Sequence, residues 1–357
     1  MFLITLLTVA SSIQPQAPSA APYRQPQMAV SGKQVALVFG GGPSVYFTSS
    51  SDGGATFGVP VKIAETGVLA LGRHRGPRVA ILRDGTLVVS AIAGEKVASG
   101  PHAHGLPEAG NLFTWRSTDH GKTWTKGGTV NDVPGAAREG LHAMTATADG
   151  KTVHAVWLDL RGKGTKLYGS QSEDGGKTWS KNTLAYESPD GTICQCCHPS
   201  LAADPKGGIW MMWRNVIGGN RDMYVLNTAS KAPPVKQGSG TWPLNACPMD
   251  GGAFAVDADG KVSSAWRRDG AVFLVEPGSA DEVQVGMGKD VAMARNKRGT
   301  FVAWTKDGNT AVVRLPEGGV QTLGKAAGGF VQLAPIDGRR MLAAWESQGS
   351  IETTIVE

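Results

Sequence analysis

The chain has 357 residues, 49 of them Gly, and only 18% of its side chains are charged. That is material for one large or two ordinary domains, and the balance argues against a helical or disordered chain and for many short strands joined by Gly-rich turns. The formal net charge is +5, but the 35 Lys and Arg form no tract and no stripe interleaved with aromatics, which excludes a nucleic-acid-binding surface.

The first segment reads MFLITLLTVASSIQPQAPSAAP. Its apolar run over 2–10 is too short to span a bilayer. Small residues follow, the order of a secretory signal, although no Lys or Arg precedes the run. Residues 1–22 are expected to be a signal peptide and linker, with no membrane span. The mature chain is then secreted or periplasmic, in an oxidising compartment.

From residue 23 onward one unit recurs: a short apolar strand, a turn holding Gly, and a strand ending in an aromatic. The copies begin PQMAVSGKQVALVF, GPRVAILRDGTLVVSAI, GLHAMTATADGKTVHAVW, HPSLAADPKGGIWMMW, GGAFAVDADGKVSSAW, DVAMARNKRGTFVAW and GFVQLAPIDGRRMLAAW. Their closing aromatics are Phe39, Trp157, Trp213, Trp266, Trp304 and Trp345, the second copy lacking one. A spacing of about 40–60 residues, with a further strand after each copy, matches four-stranded propeller blades. The expected fold is all-β: a single propeller over 23–357 with seven blades, or six if one unit is an insertion. The last unit ends at SIETTIVE without room for a fourth strand, so the N-terminal segment is expected to supply it and close the ring. A monomer is expected.

Three stretches share the pattern Ser-x-Asp-x-Gly-x-Thr-aromatic: SSDGGATF (50–57), STDHGKTW (117–124) and SEDGGKTW (172–179). The Asp carboxylate accepts turn N–H groups and the Gly permits positive φ, the chemistry of a tight hairpin. The pattern resembles the Asp box, or BNR repeat, of the sialidase superfamily of β-propellers. In such a fold the segments that lead into the inner strands share one channel mouth. Here they hold most of the reactive side chains, while the Asp boxes lie on outer hairpins remote from that mouth.

The resemblance implies site residues one by one. YRQP makes Arg24 a candidate for the first carboxylate-binding arginine. Arg214 in WRN and Arg267 or Arg268 in WRRDG would complete a cluster, with Arg138 beside them. A planar guanidinium binds a carboxylate in two places and stays charged. Glu139 in REGLH resembles the family's activating glutamate, and His142 follows it as a second candidate for catalysis. The tyrosine nucleophile expected at the final blade is replaced by Phe330, and the first-blade loop FGGGPSVYF has no acid. Ordinary sialidase activity is therefore not expected. The ligand implied is an anionic glycan or similar small molecule, recognised or processed; the alternative is a non-catalytic binding or assembly scaffold. Pairing of these arginines with nearby carboxylates as links between blades is the structural reading of the same charges.

Three of the four cysteines fall in CQCCHPS, and Cys247 lies downstream in NACPMDGG. Both segments lead into neighbouring blades, so Cys247 is expected to touch the cluster of Cys194, Cys196 and Cys197. Two disulfides and no cofactor are expected in an oxidising compartment. The alternative is a soft-metal site for copper or zinc, with His198 and Met249 adding imidazole and thioether.

Overall fold

A computed structural model describes residues 10–16, 20–100, 103–325 and 329–357. Every regular element among them is a β-strand, and the strands form seven antiparallel sheets. The inner strands are Tyr23–Ser31, Arg78–Ile81, His142–Ala146, Ser200–Ala203, Gly252–Val256, Lys289–Asn296 and Gly329–Pro335. Each packs beside the next around a central channel, and the last returns to the first. The protein is a seven-bladed propeller. The six-bladed alternative fails because every copy of the repeat makes its own sheet.

Each blade is graded by burial. The second strand is covered on both faces by neighbouring blades, so it reads as a continuous apolar run. Val35 to Phe39 are wholly buried, and all six closing aromatics are exposed by 2% or less. Outer strands such as Val61–Glu65 are largely exposed and carry charge. The last blade is ordered Ala10–Ile13, Ser350–Val356, Met341–Ser347, Gly329–Pro335. Its outermost strand thus comes from the other end of the chain, with Ala10 opposite Thr354 and Ile13 opposite Ile351. The expected ring closure is present, through a strand inside the 1–22 segment. Most of the apolar run expected to be the signal lies outside the described residues.

The Asp boxes follow the third strands, on the face opposite the channel mouth. In the second blade Asp119 Oδ1 accepts from the Ser117 hydroxyl (2.7 Å) and from the N–H of Thr123 (2.9 Å), while Oδ2 accepts from the Thr123 hydroxyl (2.6 Å). These donors hold the carboxyl well below its ordinary range. Asp52 and Asp174 repeat the arrangement. Each box also seats on the blade before it: Trp124 packs edge-on against Phe47 (5.2 Å) and Trp179 Nε1 donates to Thr114 (3.3 Å).

The second blade departs from the others. Its inner strand is broken in two, with Val68–Leu69 and Arg78–Ile81 both paired to Leu87–Gly94. Residues 70–77 loop out between the halves, onto the channel mouth. The described parts of a second insertion, 95–100 and 103–110, stand on the same side, pinned by a bridge between Val97 and Pro107.

Candidate functional site at the channel mouth

The 70–77 loop, ALGRHRGP, turns back on itself. Arg73 and His74 take left-handed φ of 52° and 66°, flanked by Gly72 and Gly76 at 82° and 118°. The buried Arg78 guanidinium fixes the reversal by donating to the carbonyls of His74 (2.7 Å), Pro77 (3.0 Å) and Gly76 (3.1 Å). His74 is thereby delivered to the channel axis. Its Nε2 lies 3.1 Å from Asp290 Oδ1 and 3.5 Å from Asp250 Oδ1. Its ring stacks on His198 at 4.1 Å and meets Phe330 edge-on at 5.0 Å. These residues come from the second, fourth, fifth, sixth and seventh blades, so they meet only at the axis.

Bulges aim several of these side chains. The inner strands of the first, sixth and seventh blades each slip register where they begin, and the residue in the slip is left-handed: Gln25, Asp290 and Phe330. Such a bulge re-directs a side chain at the cost of local strain.

The electrostatics of the plug are coupled. Burial alone would push the His74 imidazole down, but Asp250 and Asp290 outweigh it and raise the pKa to about 9. His74 is therefore an imidazolium at neutral pH. Burial, and then the charge on His74, drive His198 well below the usual range. The neutral His198 ring accepts the Gly251 N–H at Nδ1 (3.2 Å), which puts its own proton on Nε2. Asp250 is steadied by the Asp290 N–H (3.0 Å) and by Arg267 Nε (3.2 Å). Below the plug the channel holds a cavity of 160 Å³ lined by Gln27, Arg78, Ser200, Met144, Met293 and Gln332.

A cationic rim surrounds the plug on the side of the first three blades. Arg24 is 40% exposed, with Nε 3.5 Å from the buried Glu346 carboxylate. The Arg24 guanidinium lies over Gly72. Arg73 and Arg138 are exposed, and neither makes an ion pair among the described residues. Between them Arg75 Nε donates to the Glu139 carbonyl (2.6 Å), and its Nη2 is 3.8 Å from the Glu139 carboxylate. Burial raises the Glu139 carboxyl above its ordinary range, against the pull of Arg75 and Arg138. A cavity of 270 Å³, walled by Ala98, Leu106 and Pro107 of the 95–110 insertion, opens beside Arg138 and Glu139. A larger cleft of 460 Å³ lies along the outer strands of the first two blades, lined by Phe113, Trp115 and Lys126, and reaches Glu95 and Glu108 of the insertion.

The arginine cluster expected from the family resemblance does not assemble as such. Arg24 and Arg138 sit on the rim. Arg214 is 1% exposed and spends its donors on the carbonyls of Asp250 (3.1 Å), Arg221 (2.8 Å) and Arg267 (2.9 Å), pinning loops of adjacent blades. Arg267 supports Asp250 and donates to the Pro248 carbonyl (2.8 Å). Arg268 makes a forked ion pair with Glu282 and lies over Phe273. His142 is wholly buried inside the blade wall, 2.9 Å from the Ser90 hydroxyl, and does not face the mouth. His74 and its flanking arginines lie in GRHRGPR (72–78), a lead-in segment none of whose residues was among the expected site residues. Its signal was density: three Arg and one His in seven positions.

The cysteines also differ from expectation. No disulfide is present, and Cys247 is exposed while Cys194, Cys196 and Cys197 are buried together. The reason is local: the loop curls so that its own sulfurs face one another, while Cys247 lies exposed outside that group. His198 belongs to the plug, and Met249 packs against the sulfurs.

Residues 27–200 match the BNR repeat-like domain family. Similar solved structures include a Hadza microbial sialidase, at TM-score 0.55 and 15% identity over 98% of this chain and 68% of that one. The α-L-arabinanase of Penicillium chrysogenum, solved with arabinobiose, has TM-score 0.57 and 12% identity over 98% and 97%. YCF48 from Cyanidioschyzon merolae has TM-score 0.56 and 14% identity over 97% and 98%. Identities so low show a shared propeller fold and nothing of activity. No curated protein matches the sequence. The propeller fold that the Asp-box resemblance implies is thus shared with these structures.

Proposed function

We propose that this BNR-repeat propeller recognises an anionic glycan or similar acidic small molecule at the Arg24–Arg73–Arg138 rim, without ordinary sialidase turnover. The carrying observation is that Arg73 and Arg138 are exposed beside Arg24 and make no ion pair among the described residues, around a partly buried Glu139. A charge-assisted, two-pronged contact from such a rim is about twice as strong as a neutral hydrogen bond. The partly buried Glu139 carboxyl adds a polar group that can orient a ligand beside the rim. The mouth centre, where the family places its nucleophile, is instead filled by Phe330 against His74. Retaining hydrolysis needs a nucleophile as well as an acid, so recognition is favoured over processing. Export to the periplasm or medium, and action as a monomer, belong to the same proposal.

The test is calorimetric titration with free sialic acid, a uronic acid and their neutral counterparts. Acidic sugars should bind, neutral ones should not, and Arg73→Ala and Arg138→Ala should each weaken binding by roughly tenfold, about 1.4 kcal/mol. A fluorogenic sialoside should show no turnover. Equal binding by Arg138→Ala, or rapid sialoside hydrolysis, would defeat the reading.

A further inference from the structure

The loop before the inner strand of the fourth blade brings three sulfurs to one point. Cys194 Sγ lies 3.0 Å from Cys197 Sγ and 3.6 Å from Cys196 Sγ, and all three fall within 4.8 Å of one another. They are exposed by 1%, 5% and 1%. An interior does not need three thiols in contact, and three is an odd number for disulfide pairing. The surroundings are soft and cationic. Met249 and Val216 pack against the sulfurs. Arg221 directs Nη1 at Cys194 Sγ (3.2 Å), its orientation fixed by Nε donating to the Leu244 carbonyl (2.8 Å). The charges of Arg214 and Arg75 also reach the cluster. The group of converging ligand atoms contains no carboxylate.

We propose that Cys194, Cys196 and Cys197 form a three-thiolate site for one Cu(I) ion. Soft thiolates select Cu(I), and a set of three suits it better than zinc, which in structural sites takes four ligands. No fourth ligand of the kinds zinc takes converges on them among the described residues: His198 Nδ1 already accepts the Gly251 N–H, Cys247 is exposed outside the group, and the Met249 thioether that packs on the sulfurs suits Cu(I), not zinc. With metal–sulfur bonds of about 2.3 Å, the sulfurs of a trigonal centre stand about 4 Å apart, so Cys194 and Cys197 need part by only about 1 Å. Three thiolates and one Cu(I) carry a net charge of −2. Arg214 and Arg221 balance it, and the remaining thiol protons leave to solvent. The ion is taken up already reduced, so no electron is exchanged.

The experiment is an anaerobic titration of the reduced full chain with Cu(I) held by the chelator bicinchoninate. One Cu(I) per chain should be withdrawn, with thiolate-to-copper charge-transfer absorption in the ultraviolet. Cys194→Ser and Cys197→Ser should each lose the ion, and Cys247→Ser should keep it. Because a serine in this buried loop can unfold it, X-ray absorption at the copper edge of the unmutated protein gives an independent reading: three sulfurs and no nitrogen or oxygen. No uptake, displacement by an equal concentration of Zn(II), a nitrogen ligand, or loss of the ion in Cys247→Ser would each overturn the site.

Discussion

A buried imidazolium between two carboxylates stabilises the fold only while it keeps its proton. His74 has its pKa raised from 6.5 to about 9. Its stabilisation is therefore complete below about pH 6.5 and is lost as pH rises through about 9, a window worth about 3 kcal/mol. Denaturant midpoints measured from pH 6 to 10 should fall across that window, and His74→Gln should flatten the fall. A variant that keeps the same slope would show that another group carries it. The same scale shows why arginines resist assignment from sequence. Arg138 and Arg214 look alike on the page, yet one is solvated and the other is consumed by three carbonyls. Nothing in a residue type says which loop carbonyls will face it.

Among the elements, the Asp boxes act as clasps between blades. Gly121 has φ of 87°, and a Cβ there would fall well inside 3.0 Å of the Phe47 ring of the preceding blade. Gly121→Ala should cost about 2–4 kcal/mol, from left-handed strain plus overpacking. Gly207→Ala, with φ of 99° and nothing within 4 Å, should cost only the strain. Melting temperatures of the two variants decide this, and equal losses would mean the clasp carries no packing. These boxes, the seven strand pairs and their closing aromatics were legible because they repeat: period, turn chemistry and apolar runs agree in every copy. The plug was not. It depends on a broken strand at 70–77 and on bulges at Gln25, Asp290 and Phe330, which are departures from the repeat and leave no periodic trace. The cysteine loop was half legible: its neighbourhood followed from blade order, while the inward curl that sets Cys247 apart did not.

For the whole molecule, the seven lead-in segments meet on one face because every inner strand runs the same way, and that alone concentrates charge and thiols at one mouth. The final sheet has a further consequence. Ala10–Ile13 lies antiparallel to Ser350–Val356, so the first and last described strands are neighbours and the blades form a cycle with no privileged starting point. A circular permutant should then fold: a short linker would join 357 to 10, and new ends would open at the exposed turn between Ala258 and Asp259. Its β-type circular dichroism and a single cooperative melt should match the parent, since the closing strand is retained and only a surface hairpin is cut. A permutant that collapses or melts in two steps would show that this sheet must be completed last, and that the ring has a seam after all.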